Sequence, residues 1–236
     1  MPPGALATSD WRRQLPNWLT TLRLLLAAVF LGMLSVWHLP AGPQRPDTLD
    51  LWLVAAAVVF VLAAGTDALD GHLARRWDAV SAFGRVMDPF ADKLLVLGAF
   101  VLLAGPGFAL GLPPARTQAS GVEPWMAVVV LGRELLVTSI RGVLEGAGIP
   151  FPATASGKLK MILQSLCVPL VLVLLALWPP LPVELATPPA PGMAHWSAHA
   201  IRWTVYLTVA VTVWSGVPYV IRGWRALRPP SGATTP

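Results

Sequence analysis

Charged side chains are scarce in this sequence. They make up 12% of its 236 residues, while hydrophobic residues make up 55%. Soluble domains carry about 25% charged residues. The deficit excludes an ordinary solvated surface and points to a chain that meets lipid over much of its exterior. Cysteine is nearly absent. The single Cys167 lies inside an apolar run, so no intramolecular disulfide can form and the residue reads as packing. A dense basic patch is also missing. The formal net charge is +5, but the lysines and arginines stand at the ends of apolar runs. That pattern excludes nucleic-acid binding and fits contact with anionic headgroups. No internal repeat stands out, which argues against an inverted-repeat transporter. The first apolar run is too long for the core of a signal peptide, and no small-residue cleavage site follows it.

Long apolar runs are what the sequence does have. A helix that crosses a bilayer needs about 20 residues. Six runs qualify, at roughly 17–38, 51–70, 91–112, 124–146, 159–178 and 201–219. Helix breakers separate them: Pro40, Gly42 and Pro43, then Pro113 and Pro114, then the proline-rich stretch 179–191. The expected fold class is therefore an all-α integral membrane protein with six transmembrane helices. One domain is expected at this length. It divides into an N-terminal cytoplasmic or interfacial segment (1–14), a six-helix domain (15–228) and a Pro/Ser/Gly/Thr-rich disordered tail (229–236).

Lysine and arginine set the expected orientation. Arg12 and Arg13 flank the first run. Arg75, Arg76 and Arg85, with Lys93 just beyond, lie between the second and third. Lys158 and Lys160 lie between the fourth and fifth, and Arg222, Arg225 and Arg228 follow the sixth. The alternate connections are poorer in basic residues. Both termini are thus expected in the cytoplasm of a cell (plasma or inner) membrane protein. Trp11, Trp18, Trp37, Trp52, Trp125, Trp178 and Trp203 fall near span ends and read as an interfacial belt.

The whole chain has twelve acidic residues, and Asp67, Asp70, Asp88 and Asp92 fall within one 26-residue window. Asp67 and Asp70 are three apart and share a helix face; Asp88 and Asp92 are four apart and do the same. A connection of about seventeen residues joins the two helices, which are expected to run antiparallel with their acidic faces meeting. Four facing carboxylates at membrane depth need a positive charge among them, since each charge there costs roughly 2.5–3.5 kcal/mol. Two divalent cations balance four carboxylates. Oxygen-only ligands favour magnesium, manganese or calcium over zinc. Asp78 lies between the pairs and reads as a solvated loop residue. Gly71 and Gly84 allow close approach of a ligand or backbone, and Arg75 lies one helical turn beyond Gly71, in reach of a phosphate.

Asp67, Asp70, Gly71, Ala74 and Arg75, then eight residues, then Gly84, Asp88 and Asp92, match D-x2-D-G-x2-A-R-x8-G-x3-D-x3-D at every fixed position and gap. The chain thereby resembles the CDP-alcohol phosphatidyltransferase family. The resemblance implies the six-helix fold of that family, usually a homodimer, with a cavity facing the cytoplasm. It implies two magnesium (or manganese) ions held by Asp67, Asp70, Asp88 and Asp92. Those ions would engage the diphosphate of a CDP-linked lipid, and the fourth aspartate, Asp92, would be the general base. CDP-diacylglycerol would meet Asp67, Gly71, Arg75 and Gly84, with Thr20 and Arg23 on the first span able to line the nucleotide cavity.

Further segments resemble the phosphatidylglycerophosphate synthase branch. They are Pro16-Asn17 with Leu19, Thr20 and Arg23; Gly132-Arg133-Glu134 with Arg141; and Gly157-Lys158 with Lys160 and Gln164. Met161 stands where that branch usually has threonine. The implied acceptor is glycerol 3-phosphate, with its phosphate on Arg133, Arg141 and Lys158. Lys160 is a weaker candidate, being two residues from Lys158 on another part of the helix surface. Glu134 is free to pair with a basic neighbour. No serine, cysteine or histidine stands out near the cluster as a nucleophile for a covalent intermediate. The competing readings are another family member, using inositol phosphate, phosphatidylglycerol (a cardiolipin synthase) or serine, and more remotely a divalent-cation transporter.

Overall fold

A computed structural model describes residues 11–39, 49–77, 82–110, 117–152, 154–177 and 193–227. The expected tail at 229–236, the start of the N-terminal segment, Asp78 and the proline-rich link at 179–191 lie outside the described residues. Six α-helices carry the fold: α1 (Trp11–Val36), α2 (Leu51–Trp77), α3 (Ala82–Leu103), α4 (Pro124–Gly146), α5 (Ala155–Leu177) and α6 (Met193–Leu227). Each falls on one of the six apolar runs. Between α3 and α4 lie a short 3-10 turn (Pro106–Phe108) and a two-stranded antiparallel ribbon, β1 (Ala109–Leu110) paired with β2 (Thr117–Gln118).

Contacts between helix ends fix the direction of each helix. The amide of Leu39, just past α1, donates to the carbonyl of Gly107, just past α3, at 2.8 Å. The Asp50 amide, just before α2, donates to Ala176 near the end of α5. Ser120, which leads into α4, donates its hydroxyl to the carbonyl of Leu103 at 2.6 Å. Gly121 packs against Ile201 and Arg202 in the N-terminal part of α6. The finishing ends of α1, α3 and α5 therefore share one end of the bundle with the starting ends of α2, α4 and α6. The helices alternate in direction, so α1 begins and α6 finishes at the opposite end.

Asp50 locks the first of these ends. One carboxylate oxygen accepts from the backbone amides of Trp52 (2.9 Å) and Leu53 (3.2 Å), an N-cap for α2. The other accepts from the Trp37 indole at 2.9 Å. Trp37 also stacks on Phe108, with ring centroids 4.6 Å apart. Its reading as a belt residue is thus corrected: Trp37 is buried and ties α1 to α2 and to the 3-10 turn. Trp18, Trp125 and Trp203 are exposed, as the belt requires. Gly107 permits this closure, because a Cβ there would lie 2.6 Å from the carbonyl oxygen of Trp37.

The core is built from small residues that let helices approach, with aromatics between them. Ala27, Ala56, Ala63 and Ala99 are fully or almost fully buried among Phe30, Phe60 and Phe100. Phe30 and Phe60 meet edge to face at 5.2 Å. The exterior is apolar, with Leu25, Val29 and Val36 on α1 and Trp203, Leu207 and Trp214 on α6 exposed. Among the described residues, Trp18–Val36, Ala155–Leu177 and Trp196–Ala226 are long and apolar enough to cross a membrane, and Leu51–Thr66 is a shorter apolar stretch. A large exposed apolar exterior on such helices belongs to a membrane protein.

Several helix bounds differ from expectation, and α1 already begins at Trp11, inside the segment 1–14 expected to precede the six-helix domain. The third helix starts at Ala82 and stops at Leu103 rather than running 91–112, because Gly105, Pro106 and Gly107 break it. The second and third helices are not separated by seventeen loop residues. Leu73, Ala74, Arg75 and Arg76 are good helix formers, so the polar signature continues α2 to Trp77 and only 78–81 lie between it and α3. The sixth helix extends beyond 201–219 at both ends.

Asp50 supplies a helix cap and an indole acceptor, each contributing about 1 kcal/mol. Asp50→Ala should lower the unfolding temperature of the detergent-solubilised protein. An unchanged melting curve would show that the lock carries no stability.

Candidate functional site

The helix α4 crosses apolar surroundings with Arg133 and Glu134 partway along it. An unpaired charge there is costly, so partners are required. They come from two other helices. One oxygen of Glu134, Oε1, accepts from Lys160 Nζ of α5 at 2.5 Å and from Arg133 Nη1 at 2.9 Å. Arg133 Nη2 donates to Ser215 Oγ of α6 at 3.0 Å. Its guanidinium lies 5.5 Å from the centroid of the Tyr219 ring, in cation–π range. Ser215 in turn donates to the carbonyl of Thr212, and Thr212 Oγ1 accepts from Gln164 Nε2 of α5 at 3.1 Å. Tyr219 closes the set by accepting from the Thr154 amide at 2.9 Å, just before α5. Gly157 makes room for that bond, since an added Cβ would sit 2.8 Å from the tyrosine oxygen.

Arg133, Glu134, Lys160 and Tyr219 of this network line a cavity of about 520 Å³ at the end of the bundle where α1 begins and α6 finishes. Asp92 and Lys93 enter from α3, Arg133, Glu134, Arg141 and Glu145 from α4, and Lys158 and Lys160 from α5. Among the described residues, five basic and three acidic side chains line it. Arg141 Nε lies 3.8 Å from Glu145, an ion pair too long for a hydrogen bond. Lys158 is exposed at the cavity, whereas Lys160 is buried in its wall.

The structure therefore brings Asp92, Arg133, Arg141 and Lys158 around one space. It adds Lys160 to them, despite the two-residue offset from Lys158. Asp67, Asp70, Gly71 and Arg75 lie on the C-terminal part of α2, and Gly84 and Asp88 on α3 ahead of Asp92. Their side chains fall outside the described part of the structure. By helix direction, α2 finishes and α3 begins at the cavity end. Thr20 and Arg23 are buried on α1 and are not among the described residues of this wall. His38 and His199 lie at the opposite end, away from the site.

Sequence reasoning missed Ser215 and Tyr219. A signal existed: they are four apart on one face of an apolar helix, and Tyr219 is one of only two tyrosines. It also left Lys93 as a topology marker, although Lys93 lines the cavity.

Comparison with known proteins identifies the family. The family model for CDP-alcohol phosphatidyltransferases matches residues 13–214. The CDP-diacylglycerol–glycerol-3-phosphate 3-phosphatidyltransferase of Bacillus subtilis (strain 168) is 33% identical over 215 residues, 91% of this chain and 97% of the relative. The Pseudomonas fluorescens protein of the same description is 32% identical over 223 residues, covering 91% of this chain and 92% of its own length. One from Mycoplasma pneumoniae is 28% identical over 176 residues, 71% of each chain.

Solvent access to the cavity can be read by thiol labelling. Cys167 is 2% exposed, so the native protein should resist a water-soluble maleimide. Lys158→Cys should label readily in the folded protein. Absence of labelling would mean that the cavity is closed to water.

Proposed function

The chain belongs to the CDP-alcohol phosphatidyltransferase family, and from that premise we propose how this phosphatidyltransferase works. It transfers the phosphatidyl group of CDP-diacylglycerol to sn-glycerol 3-phosphate, giving phosphatidylglycerophosphate and CMP. The observation that carries this reading is the meeting of Asp92 with Arg133, Arg141, Lys158 and Lys160 around one cavity. A carboxylate suited to accept a proton stands beside a cationic wall suited to a phosphate. Relatives that cover most of the chain bear the name of this reaction.

Asp92 takes the proton of the C1 hydroxyl of glycerol 3-phosphate. The hydroxyl oxygen then attacks the lipid-linked phosphorus. The bond from that phosphorus to the CMP oxygen breaks, and CMP leaves with the bonding electrons. Arg141 and Lys158 hold the acceptor's phosphate by charge-assisted hydrogen bonds, with Arg133 behind them. Arg75, Gly71 and Gly84, together with Asp67, meet the CDP-diacylglycerol headgroup, and Thr20 contributes from α1.

Asp67 and Asp70 on α2, with Asp88 and Asp92 on α3, would supply an oxygen-only donor set from two successive helices. Such a set fits two magnesium or manganese ions. Bound there, these ions would offset the charge of the CDP-linked diphosphate.

The six helices span the membrane, with the cavity end and both termini in the cytoplasm. Two observations support this orientation: α1 begins and α6 finishes at the cavity end, and the basic flanks Arg12, Arg13, Arg222 and Arg225 adjoin those ends. The membrane is the plasma or inner membrane, and the working unit is the homodimer that the family implies.

Purified protein with CDP-diacylglycerol should release CMP when glycerol 3-phosphate is added. Release driven instead by inositol phosphate, phosphatidylglycerol or serine would overturn the acceptor and leave the reaction class standing. EDTA should abolish turnover and magnesium or manganese restore it; full activity without metal would remove the ions from the proposal.

Two substitutions separate base from binding group. Asp92→Asn should lower kcat by about 10²–10⁴-fold while CDP-diacylglycerol still binds. Arg141→Ala should raise KM for glycerol 3-phosphate about tenfold, the loss of roughly one charge-assisted hydrogen bond. Near-normal turnover in the first, or equal KM changes for both substrates in the second, would contradict these roles.

A further inference from the structure

Glu134 has two cationic partners and a place in the wall beside Asp92. Lys160 comes from α5, while Arg133 adjoins Glu134 on α4 and is held in turn by Ser215 on α6. Both cations meet Glu134 at Oε1. Lys160, Glu134 and Gln164 also face Asp92 across a narrow cleft next to the main cavity. Burying three charges carries a desolvation cost that a well-packed apolar trio would avoid. Their position on the cavity wall gives the arrangement a use. The triad keeps one net positive charge on the side of the cavity where the general base stands.

We propose that Glu134 is a positioning residue of the acceptor subsite, holding the Lys160 ammonium on the α5 wall beside Asp92 so that it meets the phosphate of the acceptor alcohol. The proposal rests on the acceptor reading above. A lysine side chain has four rotatable carbons, and its ammonium samples many positions unless a partner fixes it. Glu134 removes that freedom. Arg133 has supports besides Glu134, in Ser215 and the Tyr219 ring. Glu134 touches no substrate in this scheme. It acts through Lys160, and its effect belongs to acceptor binding rather than to the CDP-diacylglycerol side.

The test is a double-mutant cycle with Glu134→Gln and Lys160→Met, read as KM and kcat for both substrates. Each single variant should raise KM for glycerol 3-phosphate about tenfold, on the scale of one charge-assisted hydrogen bond. KM for CDP-diacylglycerol should stay within about twofold, a difference of less than one weak hydrogen bond. The double variant should be no worse than Lys160→Met alone, because Glu134 acts through a lysine already gone. Glu134→Asp should recover part of the loss. Additive effects, or equal rises in both KM values, would overturn the positioning role and leave Glu134 a structural ion pair. If Glu134→Gln does not fold, Lys160→Met and Glu134→Asp still decide: an unchanged acceptor KM in both overturns the proposal. If the unaltered protein shows no CMP release with glycerol 3-phosphate, the acceptor reading has failed, which is a separate result.

Discussion

Charges placed within an apolar bundle must find partners inside it, and the rest of this structure is arranged around that requirement. Water is absent from the middle of such a bundle, so an unpaired carboxylate or ammonium there is expensive. Glu134 meets the demand for two cations at one oxygen atom. Because those cations reach it from α4 and α5, and Arg133 is further bound to α6, the pairing also dictates how three helices sit against one another. The polar ladder through Ser215, Thr212 and Gln164 extends the same logic with neutral groups, each donor meeting an acceptor on a neighbouring turn or helix.

The two ends of the bundle solve different problems. At one end Asp50, Trp37, Gly107 and Ser120 close the chain with hydrogen bonds and a stacked ring pair. That end is a fastening. At the other end the helices part around a cavity of about 520 Å³ whose described lining holds five basic and three acidic side chains. Fastening one end firmly allows the other to remain open and charged. Small residues in the core between them, such as Ala27, Ala63 and Ala99, keep α1, α2 and α3 close enough to carry the load.

Much of the fold was legible in the sequence because it depends on local spacing. Six apolar runs became six helices, although the third stops at Leu103, well before the breakers Pro113 and Pro114. Where legibility failed, a local rule was overridden. Polarity after Asp70 reads as a loop, yet helix-forming residues carry α2 on to Trp77. Trp37 reads as a membrane-interface tryptophan, yet Asp50 and Phe108 draw it inward. Arg141 and Lys158 were recognisable because their segments resemble those of the phosphatidylglycerophosphate synthase branch, and Arg133 also because charge within an apolar run is conspicuous. Tyr219 and Ser215 were not, because hydroxyl groups on an apolar helix more often satisfy backbone carbonyls than organise a site.

The sequence by itself determined which of the clustered aspartates share a helix face. Separations of three and four residues place Asp67 with Asp70 and Asp88 with Asp92 on shared faces, a consequence of 3.6 residues per turn that needs no tertiary information. The family was legible from the signature, whose fixed positions and gaps need no tertiary information, and the family model matches residues 13–214. Only the tertiary structure decided which charges answer one another. Glu134 and Lys160 are 26 residues apart, and Arg133 and Ser215 are 82 apart. No periodicity relates such positions. Their meeting depends on how α4, α5 and α6 pack, and packing is settled by the summed fit of every side chain along those helices.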